Sequence, residues 1–227
     1  MSYKIVVMSC DKNQDLWLPF HLCIEKYWKE HQEIIYSSET LQNPYYKTIN
    51  TNYPINQWTK RVYDTIKDLK CDNVILMIDD LFIREKVDNN LVKSLEKYIG
   101  GIIGALNFEK QFDKFDTPLD DLVSLRNVNG KYRTSVMCQL WSKKALLNIF
   151  NCEKDPWTFE NDNNSKGYLF LISRKGNFIN WGYGDRKWFG IRKGKWCKEC
   201  KNFFDKENIK VDYSIRGFYE WKFMYVH

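Results

Sequence analysis

The sequence predicts an α/β fold in which helices flank a mostly parallel central sheet. Short apolar runs alternate with segments of helical periodicity over the first two thirds of the chain, in the order β-α-β-α-β-α-β, and this alternation is typical of parallel sheets. The 227 residues are 44% hydrophobic and 28% charged, which excludes disordered, collagen-like and coiled-coil proteins. We therefore expect a single domain over residues 1–227, with a looser α+β region in 123–227.

Four strands are expected in the first half of the chain. Residues 3–9 form a continuous apolar run with β-branched members, and residues 73–78 contain V-I-L-M-I, the segment expected to be most buried. Residues 33–37 and 102–108 are further strands of the same kind. Ligands of such sheets bind beyond the carboxyl ends of the strands. The polar clusters S-C-D-K-N after the first strand and D-D after Ile78 both fall there.

Three helices are expected between these strands. Residues 15–31 place apolar side chains at helical spacing, with a proline near the first turn, where proline is tolerated. Residues 58–69 carry a second apolar stripe. The third helix, 88–99, begins at an aspartate suited to capping and is followed by two glycines that end it.

Beyond Val123 the pattern loosens. The expected elements are an extended segment at 131–141, a helix capped by Ser142 and ending at Phe150, and strands at 168–173 and 177–182.

The positive charge is concentrated in one short segment. Between residues 174 and 201 nine Lys/Arg stand against two acids, a balance of +7, whereas the other residues carry 26 basic and 27 acidic side chains. This segment predicts an anionic partner. Its glycines and tryptophans suit a phosphate group, single-stranded nucleic acid, a membrane headgroup zone or a merely solvated basic hairpin.

The cysteines and the chain start indicate a cytoplasmic protein. Seven cysteines is an odd number, and most lie in apolar segments, as expected of free thiols in a reducing compartment. The lone pair Cys197 and Cys200 lacks the second pair that a zinc ribbon needs. The first residues are typical of a strand and not of a signal peptide, and no apolar run is long enough to span a membrane.

Two acidic motifs are candidates for chemistry. Asp79 and Asp80 directly follow a buried strand, where two adjacent carboxylates either bind a cation such as a divalent metal or cap the next turn. Glu160 ends the aromatic segment D-P-W-T-F-E. A partly apolar environment would raise the pKa of Glu160 toward the range of a general base, whereas an exposed loop acid would keep its usual pKa.

The motifs together resemble those of bacterial GT-A-type glycosyltransferases of capsule and lipopolysaccharide synthesis. The segments are K-I-V-V-M-S-C-D, W-T-K-R-V-Y, N-V-I-L-M-I-D-D, Q-L-W-S-K-K-A-L-L, D-P-W-T-F-E and I-R-K-G-K-W. They cover nearly the whole chain in order. The D-D pair departs from the D-x-D pattern of the family, because Ile78 occupies its first position.

The resemblance implies a nucleotide-sugar-binding half at 1–122, an acceptor-side half at 123–227 and a bound Mn²⁺ or Mg²⁺. It also implies an acceptor that is a saccharide, in particular a lipid-linked one at the inner face of the cell membrane. The implied roles are Cys10 and Asp11 near the base and ribose, Arg61 at the diphosphate, Asp79 at the ribose or donor sugar, Asp80 on the metal, Glu160 as the base of an inverting transfer, and Arg192, Lys195 and Trp196 at the departing nucleoside diphosphate.

Two other function classes fit the same sequence. A sugar nucleotidyltransferase would also bind Mg²⁺ through acidic residues that follow a strand. Such an enzyme normally has a glycine-rich phosphate-binding loop after the first strand, whereas S-C-D-K-N-Q-D has no glycine. A binding module would use residues 174–201 to grip nucleic acid or anionic lipid. The nearly neutral remainder offers little further basic surface, so we expect no nucleic-acid partner and at most peripheral membrane contact.

Overall fold

The computed structural model describes residues 3–108, 116–130, 133–162, 164–175 and 190–220. The strands of these residues are β1 (Tyr3–Met8), β2 (Ile34–Ser38), β3 (Lys47–Asn50), β4 (Asn73–Ile78), β5 (Ile103–Asn107), β6 (Thr117–Pro118), β7 (Val123–Leu125), β8 (Gln139–Ser142), β9 (Leu169–Ser173), β10 (Ile191–Arg192) and β11 (Lys195–Trp196). The α-helices are α1 (Gln14–Tyr27), α2 (Trp58–Ile66), α3 (Asn89–Glu96), α4 (Lys143–Phe150), α5 (Pro156–Asp162) and α6 (Lys198–Lys206).

The central sheet has the strand order β3-β2-β1-β4-β8-β5-β9-β7-β6. Strands β3, β2, β1 and β4 are parallel, as are β5 and β9. Strand β8 lies between β4 and β5 and runs antiparallel to both, and β6 and β7 extend the other edge antiparallel. The expected mostly parallel α/β sheet is confirmed, with one reversed strand at its centre.

Helices cover both faces of this sheet, and large aromatic side chains fill both interfaces. One apolar cluster includes Trp17 and Phe20 of α1, together with Phe204 of α6. The cluster on the other face includes Trp141 of β8 and Phe150 of α4. Much of the aromatic excess of the sequence therefore serves core packing.

The helices whose capping residues can be recognised in the sequence begin where the sequence predicts them. Asp88 caps α3 by accepting hydrogen bonds from the N–H groups of Asn90 and Leu91, and Ser142 caps α4 through the N–H of Ala145. The predicted strand at 177–182 lies outside the described residues. Of the predicted segment 131–141, residues 139–141 belong to β8, and residues 131 and 132 lie outside the described part.

Two further expectations concern the thiols and membrane spans. All seven cysteines lie in the described residues and are free thiols, four of them buried. Among the described residues, no helix has the length and apolar character needed to cross a membrane.

Candidate functional site

Three parallel strands end side by side at one edge of the sheet. Met8 of β1 pairs with Ser37 of β2 and with Ile78 of β4. The residues that follow these strand ends therefore share the carboxyl edge of the sheet, where ligands of α/β proteins bind. Asp79 and Asp80, which follow Ile78, lie at this edge.

The carboxylate of Asp79 is buried and held by two neutral donors. Ser9 Oγ donates to its Oδ2, and Asn13 Nδ2 donates to its Oδ1 at 2.9 Å. Trp17 Nε1 in turn donates to Ser9 Oγ at 2.8 Å, which orients that hydroxyl. Burial raises the pKa of Asp79 to about 8, and the neighbouring Asp80 adds to the rise, while the bonds from Ser9 and Asn13 oppose it.

Asp80 has an oxygen without a partner. Its Oδ1 is buried and accepts no hydrogen bond from any described residue. Burial raises the pKa of Asp80 to about 6, although a hydrogen bond from its own backbone N–H and the positive charge of Arg216 oppose the rise. An unpaired buried carboxylate oxygen costs free energy, and a cation at that oxygen would offset the cost.

This donor set fits a divalent metal shared with a phosphate ligand. No group of three or more His, Cys, Asp or Glu suited to a metal occurs among the described residues, so these residues form no complete protein cage. Mg²⁺ usually takes one or two carboxylates, with substrate phosphates and water completing its shell. The Oδ1 of Asp80 is a carboxylate oxygen that such an ion could use, with Asp79 next in the sequence.

Arg61 does not have the free guanidinium that contact with a diphosphate requires. It is 3% exposed, its NH1 donates to Glu39 Oε1 at 2.8 Å, and its NH2 donates to the carbonyl of Ser9 at 2.9 Å. These contacts tie α2 to the ends of β1 and β2. Arg61 thus supports the strand ends in this structure, and its expected role at the diphosphate stays a prediction.

The side chains after β1 also hold the edge together. The carboxylate of Asp11 accepts from Thr40 Oγ1 at 2.6 Å, from the N–H of Thr40 at 3.1 Å and from the N–H of Leu41 at 3.2 Å. Burial works against it, yet these bonds lower the pKa of Asp11. Asp11 thus holds the loop after β2 in place. Burial raises the pKa of the half-buried Cys10 to about 11, and the charge of Asp79 adds to the rise.

The basic hairpin of β10 and β11 begins beside the backbone of the segment that follows β4. A Cβ added at Gly190 would lie 2.8 Å from the carbonyl oxygen of Asp80 and 2.2 Å from the Phe82 ring, so the backbone of Gly190 touches the Asp80 segment. Lys195 is exposed, and the guanidinium of Arg192 lies 5.1 Å from the centre of the Tyr219 ring. The two cations thus sit on a hairpin anchored beside Asp80.

Trp196 belongs to the core and offers no stacking face. It is 0% exposed, and its ring lies against Phe82, Phe204 and Tyr213 at centroid distances of 5.9, 5.8 and 5.7 Å. Neighbouring aromatic rings cover the indole, and the expected contact with a departing nucleoside diphosphate stays a prediction. Trp196 anchors the hairpin instead.

We expect Gly190→Ala to destabilise the protein. The added Cβ would overlap Phe82 and the Asp80 carbonyl, and such overpacking typically costs about 1–3 kcal/mol. Thermal unfolding should show a lower Tm than the wild type. An unchanged Tm would contradict the close approach of the hairpin to Asp80.

Glu160 is fixed near the same edge of the sheet. It lies on α5, where its Oε1 accepts from the N–H of Val136 at 2.8 Å and from Ser135 Oγ at 3.0 Å. Strand β8 runs antiparallel to β4, and its first residue, Gln139, pairs with Leu76 near the end of β4. Val136, just before β8, therefore lies at the same edge of the sheet as Asp79, just after β4. Burial raises the pKa of Glu160, although the bonds from Val136 and Ser135 oppose the rise.

Arg216 is a site residue that the sequence did not reveal. Its guanidinium bonds to Asp15 and Asn13 beside Asp79, and its charge opposes the rise in the pKa of both Asp79 and Asp80. About 200 residues separate Arg216 from these partners, so no local pattern signals the contact.

Solved structures share this architecture at very low sequence identity. S. aureus TarS 1–349 in complex with UDP has a TM-score of 0.52 at 11% identity, and the match covers 78% of this chain and 59% of that chain. CMP:2-keto-3-deoxy-manno-octonic acid synthetase complexed with CTP has a TM-score of 0.51 at 10% identity, covering 76% of this chain and 89% of that chain. The fold is a GT-A-like α/β domain.

These matches concern structure alone. The chain spans about three fifths of the TarS fragment. No model of a protein family matches the sequence, and a search of curated proteins finds no match.

Proposed function

We propose that this protein transfers a sugar from a nucleoside-diphosphate-sugar donor to a saccharide acceptor in bacterial surface-polysaccharide synthesis. The observation that carries the proposal is the Asp79–Asp80 pair at the carboxyl edge of β4, with a buried Asp80 oxygen that has no partner among the described residues. A structure of similar fold is in complex with UDP, which supports a nucleotide as the ligand.

The charges around the pair suit a diphosphate leaving group. Bound Mn²⁺ or Mg²⁺ would stabilise the negative charge that develops on the departing diphosphate. Asp80 would hold this ion, and Asp79 would contact the ribose or the donor sugar. Arg192 and Lys195, on the hairpin beside Asp80, would face the phosphates, and Cys10 and Asp11 would border the base and ribose.

Glu160 would act as the general base of an inverting transfer. A sugar hydroxyl is a poor nucleophile until a carboxylate begins to take its proton. Burial raises the pKa of Glu160 and so strengthens it as a base. The acceptor oxygen would form a bond to the anomeric carbon of the donor sugar, its proton would pass to Glu160, and the bond between the donor sugar and the diphosphate would break.

An aromatic side chain supports a saccharide on the acceptor side. Trp157 is 66% exposed and precedes Glu160 by three residues on α5, so both side chains project from neighbouring parts of one helix surface. The C–H face of a pyranose packs well on such a ring. A lipid-linked saccharide at the cytoplasmic face of the membrane would fit the exposed cations of the basic hairpin.

A sugar nucleotidyltransferase is the second candidate, favoured by the likeness to a CTP-bound synthetase. That reaction would release pyrophosphate. The connection after β1 argues against it, because the chain passes from Met8 through a short 3-10 helix at Asp11–Asn13 directly into α1, and this connection has no glycine.

Product analysis separates the two candidates. The wild type would be incubated with Mn²⁺ and a panel of nucleotide sugars and saccharide acceptors, and separately with nucleoside triphosphates and sugar phosphates. Sugar transfer predicts release of a nucleoside diphosphate in the first set. Release of pyrophosphate in the second set alone would overturn sugar transfer in favour of nucleotidyl transfer.

We expect Ser135→Ala to move the acidic limb of the pH–rate profile to higher pH. The Ser135 hydroxyl stabilises the charged form of Glu160, so its removal raises the pKa of Glu160 further. The base is active when deprotonated, and activity should then be lost at a pH roughly half a unit to one unit higher. Ser94→Ala, an exposed hydroxyl on α3, is the control. An unmoved limb would exclude Glu160 as the titrating base.

A further inference from the structure

The side chain of Arg216 joins the C-terminal segment to the first loop of the chain. Its Nε donates to Asp15 Oδ2 at 2.7 Å, and its NH2 nitrogen approaches Asp15 Oδ1 at 2.6 Å, the carbonyl of Lys12 at 2.7 Å and Asn13 Oδ1 at 2.9 Å. The side chains of Arg216 and Asp15 are each 10% exposed. A planar guanidinium can serve these acceptors together, whereas an ammonium group cannot reproduce that fork.

Both ends of the Asn13 amide are used. Its Oδ1 accepts from Arg216, and its Nδ2 donates to Asp79 Oδ1 at 2.9 Å. If the amide were flipped, its NH2 group would face the guanidinium donors and its oxygen would face a carboxylate oxygen, so both hydrogen bonds would be lost. Arg216 therefore selects the orientation in which the Asn13 NH2 group faces Asp79.

The backbone around Arg216 is fixed by contacts within the chain. A 3-10 helix, Tyr213–Ile215, precedes it, and Gly217 follows with a φ of 62° that a residue with a side chain rarely adopts. The N–H of Gly217 donates to the carbonyl of Tyr213 at 2.8 Å, and the N–H of Trp196 donates to the carbonyl of Gly217 at 3.0 Å. The turn that carries Arg216 is thus tied to the hairpin beside Asp80.

We propose that Arg216 is a positioning residue, which orients the Asn13 amide so that its NH2 group fixes the Asp79 carboxylate beside Asp80. The C-terminal turn thereby completes the carboxylate site of the N-terminal half. The inference rests on the proposed function only where it assigns a nucleotide to that site. If Arg216 were only a structural anchor, its contact with Asp15 would be sufficient. The orientation of the Asn13 amide would then have no effect on the Asp79 carboxylate.

Hydrogen exchange of the Asn13 side-chain amide tests the orientation directly. In ¹⁵N-labelled protein without nucleotide, these resonances are assigned by their loss in Asn13→Ala. We expect Arg216→Lys to accelerate their exchange roughly tenfold, as loss of a charge-assisted bond implies, and Lys201→Ala, which removes one charge from α6, to leave it unchanged. Unchanged exchange in Arg216→Lys would overturn the inference. If that variant does not fold, Asp15→Asn, which loosens Arg216, must accelerate exchange in the same direction.

Titration with UDP and Mg²⁺ tests the consequence. Arg216→Lys and Asn13→Ala should each weaken binding roughly tenfold, and the double variant should lose no more than either single variant, because both changes release the same Asp79 contact. Fully additive losses would overturn the inference. If the wild type binds no nucleoside diphosphate, the proposed function fails, and the exchange measurement alone then decides the role of Arg216.

Discussion

Asp80→Asn should abolish turnover while making the free protein more stable. The buried Oδ1 of Asp80 has no partner among the described residues, and the carboxylate lies next to that of Asp79. Neutralising it removes the cost of an unpaired buried charge and the repulsion of its neighbour. The Tm without ligand should therefore rise, a trade of stability for function that is common at binding sites.

The loss of activity should be large. A bound divalent ion is worth several kcal/mol of charge stabilisation in the transition state, so we expect kcat to fall by at least about a thousandfold. Asp68→Asn removes an equal charge from an exposed position after α2 and is the control. Full activity in Asp80→Asn would refute the assigned metal ligand, and a lower Tm would refute the destabilising effect of the unpartnered Oδ1.

Glu160→Gln should lower kcat by roughly a hundredfold to ten-thousandfold, the range attributed to general acid–base catalysis. The amide keeps an oxygen that can accept the bonds from Val136 and Ser135, so α5 should stay in place. Affinity for the nucleoside diphosphate should be unchanged, because Glu160 is assigned to the acceptor hydroxyl.

The change in kcat would be measured under saturating donor. Glu153→Gln, an exposed acid shortly before α5 that accepts a bond from Gln57, is the matched control. Equal kcat in Glu160→Gln and the wild type would contradict its role as base. A loss confined to donor affinity would place Glu160 on the donor side instead.

Elements with strong local signals could be predicted from the sequence. Apolar runs predict β1 and β4, and capping residues predict the starts of two helices, Asp88 for α3 and Ser142 for α4. These signals can be recognised because periodicity and capping depend on residues that are close in sequence. Strand β3 carries little apolar character and pairs only with β2. It was not predicted, because its partner and not its composition makes it a strand.

Helix α5 was missed for a different reason. Proline breaks a helix in its interior, so the sequence D-P-W-T-F-E does not indicate one, yet proline is compatible with the first helical position, which Pro156 occupies here.

The positions of the two acids in the fold could be predicted from the sequence, but the contacts of the cations could not. Asp79 and Asp80 follow a recognisable strand, so the sequence locates them at the ligand-binding edge. Whether a cation is free depends on tertiary contacts: Arg61 is engaged by Glu39 and Ser9, which the sequence cannot show. Arg216 reaches the site from the far end of the chain. The sequence also does not show that other aromatic rings surround Trp196.

Thermal unfolding with a panel of nucleoside diphosphates, with and without Mn²⁺ or Mg²⁺, tests the central claim most directly. A ligand at one hundred times its Kd adds about 2.7 kcal/mol of stability, which should raise the Tm by several degrees for a domain of this size. We predict that at least one nucleoside diphosphate raises the Tm only with the metal present, and that Asp80→Asn loses this shift while Asp68→Asn keeps it. No shift across the panel, or an equal shift in Asp80→Asn, would contradict a metal-assisted diphosphate site at the Asp79–Asp80 edge.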